Sequence, residues 1–271
     1  VLVVGVEKMT DVSGAETTAI LTSAADTERQ VGSTFPALYA LLADAYFRQH
    51  PTVAESGELL AQVAVKNHHH ALDNPHAQFH KTLTVADVMR SPVVAPPLRL
   101  LDCSPISDGA AAVVLSRRRG RSKAKLIGSG HGQDRVVLAD RTSLTQFAAT
   151  QRAATQAYTT AGLKPSAIQL AEVHDCFTIA ELLAVADLGF LPADQVPEAY
   201  RRGRFYHGQP LVINRSGGLK AGGHPVGATG VKQVAYLAEQ LAHGVARYAL
   251  AHNIGGAGAT AVVHILEATH A

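Results

Sequence analysis

Apolar positions along this chain follow two rhythms. Residues 1–6, VLVVGV, form an unbroken and largely β-branched run of the kind that lies in the middle of a sheet. Phe35, Leu38, Tyr39, Leu42, Ala45 and Tyr46 then recur at helical spacing, with Pro36 in the first turn, and predict a helix. A second helix is expected over residues 56–72, and Thr84 with Asp87 forms a capping-box pattern for a third. Helices without intervening strands point to an inserted helical subdomain. The stretch LLDCSPISDGAAAVVLS next leads through a loop into a small-residue strand, and KLIGSGHG opens another. A long alanine-rich helix ends near Ala161, with Gly162 as its C-cap and Pro165 beyond it. A strand follows over 168–173, and Thr178 with Glu181 predicts a second capping box for a helix reaching Leu188. A helix over 228–241 precedes a closing strand pair, 248–253 and 260–266, joined by the glycine turn of NIGGAG.

Two of these strands resemble each other. Gly109, Ala110, Ala112, Val113 and Val114 correspond in order to Gly258, Ala259, Ala261, Val262 and Val263. This fits an internal duplication in which two similar α/β halves pack together, each ending in an Ala/Val strand.

Composition narrows the class. The chain has 271 residues, 47% of them hydrophobic and 17% charged, and no apolar run approaches the ~20 residues of a membrane span. A soluble globular protein is expected. A net charge of +2 is too small to argue for nucleic acid or an anionic membrane, and the basic run from Arg117 to Lys125 reads as a solvated crossing between halves. Cys103 and Cys176 are the only cysteines, which suits two free thiols in a reducing compartment, with cytoplasm as the default. Opening at Val1 inside an apolar run, the sequence reads as the continuation of something, so a missing beginning is expected.

The stretch richest in candidate chemistry is NRSGGLKAGGHPVGATG, residues 214–230. So much glycine leaves too few side chains for a packed element, and a stiff loop presenting His224 beside a helix N-terminus is expected. Cys176 falls at the end of a strand just before another helix, where the helix dipole is expected to favour a thiolate. Backbone N–H groups in the NIGGAG turn can form an oxyanion hole. The run His68 to His70 does not suggest a metal, because consecutive helical side chains diverge, and His76 with His80 lacks a third ligand.

The motifs GGHPVGATG, HDCF (174–177) and NIGGAG (253–258), with the opening VGVEKM and DCSPISDGAAAVVL, resemble the thiolase family over essentially the whole chain. The likeness is greatest to sterol carrier protein 2 type (SCP2-type) and archaeal acetyl-CoA acetyltransferases. It implies an α/β, duplicated αβαβα layered fold with mixed five-stranded sheets, the first half incomplete, plus a mainly helical loop domain. Residues 1–9 and 93–120 would be the remainder of the N-terminal half, 10–92 the CoA-covering loop domain, and 121–271 the C-terminal half. The implied function is acyl transfer between CoA thioesters by Claisen chemistry, making or cleaving acetoacetyl-CoA or a 3-ketoacyl-CoA. By the same resemblance, Cys176 is the acid/base cysteine and His224 activates the nucleophile and helps hold a thioester oxygen. His174 takes the place of an oxyanion-hole asparagine, and Asn253 with Gly255 matches a CxG turn whose cysteine is replaced. Lys66, Asn67 and His68 would neighbour the pantetheine or phosphates of CoA. No metal or other cofactor is implied. The family's nucleophilic cysteine lies upstream of the opening motif, so a missing N-terminal segment, a partner subunit or a homo-oligomer is expected to complete the site, and Cys103 is expected to be structural. Two other readings remain open: a thiolase-fold lyase acting as a retro-aldolase, and a non-catalytic acyl-CoA or lipid-binding subunit.

Overall fold

The computed structural model describes residues 1–26, 28–51, 57–117 and 122–269. Position 56, the expected start of the second helix, and positions 118–121 of the basic crossing lie outside the described residues.

A five-stranded mixed sheet forms the second half. It comprises β5 (Ala124–Gln133), β6 (Leu170–Glu172), β7 (Val212–Ile213), β8 (Tyr248–Gly255) and β9 (Thr260–Ala268), in the order β5-β9-β8-β6-β7. Strand β9 runs antiparallel to both β5 and β8, whereas β6 runs parallel to β7 and β8. Helix α5 (Ala148–Ala161) lies against β5 at unusually short range. A Cβ on Gly130 would come within 1.9 Å of the Ala153 carbonyl oxygen, and one on Gly132 within 2.0 Å of that of Ala149. The alternating glycines of GSGHG are thus what lets a helix backbone rest directly on the strand. Helix α9 (Thr229–Ala242) covers the opposite face, where Leu237 and Leu241 join Leu170, Ala249 and Leu266 in a buried cluster.

In the first half β1 (Leu2–Glu7) pairs antiparallel with β4 (Gly109–Val114), from Leu2 opposite Val114 to Glu7 opposite Gly109. Strands β8 and β9 are likewise an antiparallel pair. The expected central burial of β1 is corrected: Leu2, Val4 and Val6 are 64%, 58% and 70% exposed. Among the described residues β1 has only β4 as a strand partner.

The segment between β1 and β4 is mainly helical, as expected. It carries α1 (Gly14–Thr22), α2 (Phe35–Gln49), α3 (Glu58–Ala71) and α4 (Val85–Arg90), then a short hairpin of β2 (Val93–Ala95) and β3 (Leu98–Arg99). Helix α1 gave no amphipathic signal; its start is set by the Ser13 hydroxyl, which accepts from the Glu16 N–H. Thr84 and Asp87 form the reciprocal capping box at α4. The second expected box is corrected. Helix α6 (Thr178–Asp187) begins after Phe177, the Thr178 hydroxyl donates to Asp102 at 3.0 Å, and Glu181 is fully buried among other partners. A carboxylate so engaged cannot fold back onto the helix start. Helices α7 (Val196–Arg201) and α8 (Gly218–Gly222) complete the chain, and α6, buried on nearly every side, is the hub of the largest core cluster. No described helix is long and apolar enough to cross a membrane.

Candidate active site

The glycine loop and the HDCF motif are fastened together before either presents a side chain. Asp175 accepts the N–H groups of Leu219 (2.6 Å) and Lys220 (3.1 Å) at the start of α8. A Cβ on Gly218 would lie 2.4 Å from that carboxylate, and the left-handed φ of +61° at Gly218 has the same requirement, so glycine is needed twice over. Asn214 accepts the Val173 N–H at 2.7 Å from the other side.

This frame sets His224. Its backbone N–H donates to the Ser107 hydroxyl at 2.9 Å, and its Nδ1 lies 2.8 Å from the Thr229 hydroxyl. Thr229 spends its own proton on the Pro225 carbonyl at 2.9 Å, so it accepts from Nδ1–H. The tautomer that follows leaves a lone pair on Nε2, the form a general base or thiol activator requires. Burial, with Lys232 nearby, lowers His224 to about 3, so the ring is neutral near pH 7. His174 stands edge-on to it, ring centroids 4.9 Å apart and planes at 90°. His174 is held well below its ordinary value by burial, reinforced by His224, His252 and Lys232, and its buried Nδ1 has no partner.

Cys176 follows two residues later. It is buried, and the backbone bridge between Cys103 and Phe177 places the two thiol-bearing segments side by side, with the Ser104 N–H donating to the Cys176 carbonyl at 2.8 Å. The expectation of a thiolate is corrected: burial pushes the Cys176 thiol up to about 12, and the adjacent Asp175 and Cys103 add to the rise. Desolvation of the charged form outweighs the dipole of the short helix that follows. Cys103 is likewise pushed up to about 12 by burial and Asp102, and its sulfur contacts the Arg99 carbonyl at 3.4 Å.

Asn253 and Gly255 lie on one face of β8. The Asn253 amide donates to Gln233 at 3.3 Å, and Gln233 in turn donates to the His252 carbonyl at 3.0 Å. Asn253 lines a cavity of about 680 Å³ between β4, α9 and the main sheet, beside Gly230 in the turn of α9 that also carries Thr229. A Cβ on Gly255 would meet the Thr260 hydroxyl at 2.4 Å.

Lys66 and Asn67, expected to neighbour CoA, are joined to this frame from within the core, Asn67 through Asp175. They are 1% and 0% exposed. The Lys66 ammonium meets Glu181 at 3.1 Å and the Ile213 carbonyl at 2.7 Å, and the Asn67 amide donates to Asp175 and Glu181 at 2.7 and 2.8 Å. Side chains spent this way inside the core offer nothing to a bulky nucleotide. His68 is buried beside them, its Nδ1 on the Lys81 carbonyl at 2.9 Å and its Nε2 3.5 Å from the Lys220 ammonium. Among the described residues no group of three or more His, Cys, Asp and Glu side chains is placed to hold a metal ion.

Ser107, Thr229 and Gln233 were missed by sequence reasoning. Thr229 was findable, since a hydroxyl five residues past His224 at a helix start can reach back to the ring. Ser107 and Gln233 carry no local signal, because what they touch is distant in sequence.

The glycine loop, the HDCF strand end and the duplicated halves together define an α/β protein of the thiolase class, and family comparison agrees. Residues 1–119 match the thiolase N-terminal domain and residues 130–268 the thiolase C-terminal domain-like family. The chain belongs to the thiolase family and is an acyltransferase of the thiolase type. It is 44% identical over 279 residues to an acetyl-CoA acetyltransferase of Methanothermobacter thermautotrophicus, covering 98% of this chain and 72% of that one. It is 33% identical over 262 residues to a benzoylsuccinyl-CoA thiolase subunit of Thauera aromatica, covering 89% and 66%. In fold it is similar to the Ltp2-ChsH2(DUF35) aldolase, with a TM-score of 0.81, 24% identity and coverage of 100% and 73%. Human mitochondrial 3-ketoacyl-CoA thiolase gives a TM-score of 0.69 at 18% identity, covering 99% and 71%.

Proposed function

We propose that this chain carries the proton-transfer machinery of a thiolase acting on short acyl-CoA thioesters, acetyl-CoA and acetoacetyl-CoA among them. The observation that carries this reading is the His174–His224 pair: an imidazole with its Nδ1 fixed by Thr229 and its Nε2 lone pair available, edge-on to a second neutral imidazole. In this reading Cys176 gives a proton to, or takes one from, the carbon α to the thioester. When the S–H bond breaks, a C–H bond forms and sulfur keeps the electron pair; the reverse step leaves an enolate. His224 activates the acyl-accepting nucleophile and, with His174, lines the place where a thioester oxygen gathers charge. Asn253 and the N–H groups of the Gly255 turn hold the second oxygen. Residues 10–92 cover the CoA moiety, through groups other than Lys66 and Asn67.

Cys103 is held as a thiol by burial, with its sulfur on the Arg99 carbonyl, and Cys176 is used in this reading for proton transfer. The acyl-carrying nucleophile is therefore assigned to a residue other than these two. A 44% identical acetyl-CoA acetyltransferase supports the substrate class, and the relative described as a thiolase subunit fits a partner.

The test is uptake of deuterium from D2O into the acetyl methyl of acetyl-CoA, measured for the chain and for Cys176→Ser. Serine is expected to lower exchange by about 10²-fold while the fold is kept. Equal exchange in both proteins would overturn the assignment of Cys176.

A further inference from the structure

Lys232, on α9, has no part in the roles assigned above, yet its side chain returns to the glycine loop. Its ammonium donates to the Gly223 carbonyl at 2.6 Å and reaches the Gly222 carbonyl at 3.4 Å. The first distance is short, as a hydrogen bond from a charged donor should be. Both acceptors are neutral carbonyls, and they directly precede His224.

The Gly223 carbonyl and the His224 N–H belong to one peptide group, and that group is planar. Lys232 holds its oxygen, and the Ser107 hydroxyl accepts from its N–H at 2.9 Å. Ser107 in turn donates to the Gln78 side chain, which comes from the helical segment between β1 and β4. A cation on the oxygen also polarises the peptide, which makes its N–H a better donor to Ser107. With both polar atoms held, the plane is kept from rotating, and the direction in which the His224 side chain leaves the backbone is set. Gly223 takes a φ of +91°, and a Cβ there would meet Gln78 Oε1 at 2.9 Å and Ser107 Oγ at 3.1 Å. Glycine is what lets the chain turn this carbonyl to Lys232 while lying against Ser107.

The ring of His224 is governed by the same helix. Thr229, which accepts from Nδ1–H, and Lys232 are three residues apart and share one face of α9. Backbone and ring are thus tied to one rigid element at two points, with Ser107 and Gln78 bracing the peptide from outside it. Lys232 also lines a cavity of about 690 Å³ with Glu172, Ser216, Gly222 and Gly223. Its positive charge helps to keep the His174 and His224 rings neutral.

We propose that Lys232 is a positioning residue for His224: its ammonium holds the Gly223 carbonyl and, with Ser107 on the N–H, fixes the peptide plane on which the imidazole is mounted. The proposal rests on the reading of His224 as the group that activates the nucleophile and faces a thioester oxygen.

The test compares Lys232→Met, which keeps much of the side-chain length but neither charge nor donor, with Lys232→Arg, which keeps both. Deuterium exchange into saturating acetyl-CoA is expected to fall about tenfold with methionine and to return to within about threefold of the original rate with arginine, because a small misplacement of a reacting group is costly. The acetyl-CoA concentration at half the maximal rate should stay within about twofold. A large rise in that concentration with the saturated rate kept would make Lys232 a substrate contact and overturn the proposal. Nitrogen-15 spectra of the histidines add a readout free of activity. The fixed Nδ1–H tautomer of His224, identified by its loss in His224→Ala, should average with the other tautomer in Lys232→Met and persist in Lys232→Arg. A folded methionine variant that exchanges at the original rate, or an arginine variant no better than methionine, overturns the proposal. Should methionine prevent folding, Lys232→Gln takes its place with the same outcomes. The two readings fail separately. If His224→Ala leaves exchange intact, the role of His224 is wrong; if that variant loses exchange while Lys232→Met keeps both rate and tautomer, only the role of Lys232 is lost.

Discussion

Two buried polar clusters lie side by side in this molecule and are built on opposite principles. Around Glu181 the network is closed. The carboxylate accepts from Lys66 (3.1 Å) and Asn67 (2.8 Å) on α3, from Tyr200 (2.6 Å) on α7 and from Asn214 (2.6 Å) after β7. Around His224 the network is open. Thr229 and Ser107 hold one side of the residue, while His174 beside it leaves a buried ring nitrogen without a partner, as does His252 on β8. A closed network is spent on holding elements in place. An open one keeps atoms for something that arrives.

Removing a member of each cluster should therefore give opposite phenotypes. The largest effect is expected from Glu181→Ala, which leaves the Lys66 ammonium buried and unpaired and should cost about 3–5 kcal/mol of stability in urea unfolding. A loss below about 1 kcal/mol would show that water or a rearranged partner compensates, and the contrast between the clusters would weaken. His224→Ala comes next, and its effect is on chemistry. Proton exchange or acyl transfer should drop by about 10²-fold, with a urea midpoint displaced far less than that of Glu181→Ala. A His224→Ala protein that unfolds as readily as Glu181→Ala would make the open cluster structural as well.

Acid sharpens the comparison with the smallest expected effect, on the order of 1 kcal/mol per pH unit. The histidines of the open cluster are lowered in the fold, His224 and His252 to about 3, and His68 is lowered to about 4. Because their folded values lie below the unfolded one, the stability they contribute is present above about pH 6.5 and is lost as pH falls toward 3–4. Burial raises Glu172 and Asp187 to about 7 and also lifts Asp102 and Asp175. The stability from these carboxyls has the opposite sign, fully present below about pH 4 and lost as pH rises through 7. Among the described residues His70, His174, His207 and His264 are lowered too, so seven imidazoles oppose four carboxyls. Urea midpoints should therefore decline from pH 6.5 to 4.5, and a rise over that interval would show that the carboxyls dominate.

Much of this was legible in the chain itself. The helix boundaries at Pro36, at Thr84 with Asp87 and at Ala161 with Gly162 are local events, fixed by dihedral preference and by hydrogen bonds a few residues long, and the structure keeps them. The glycine loop, the HDCF strand end and the duplicated Ala/Val strands were legible for the same reason, since their meaning lies in short-range pattern. What the sequence could not settle depended on burial. Thr178 with Glu181 and Lys66 with Asn67 offer polar side chains whose partners stand 19 to 147 positions away, so that their burial is decided by elements distant in sequence. The protonation of Cys176 was misjudged on the same ground, because a helix dipole can be read from sequence whereas the desolvation that overrides it cannot. Sequence by itself determined the family, the duplicated α/β plan and the residues that could do chemistry. The tertiary structure alone decided which polar groups are closed off as scaffold and which are left open, because only packing removes water from one and not from the other.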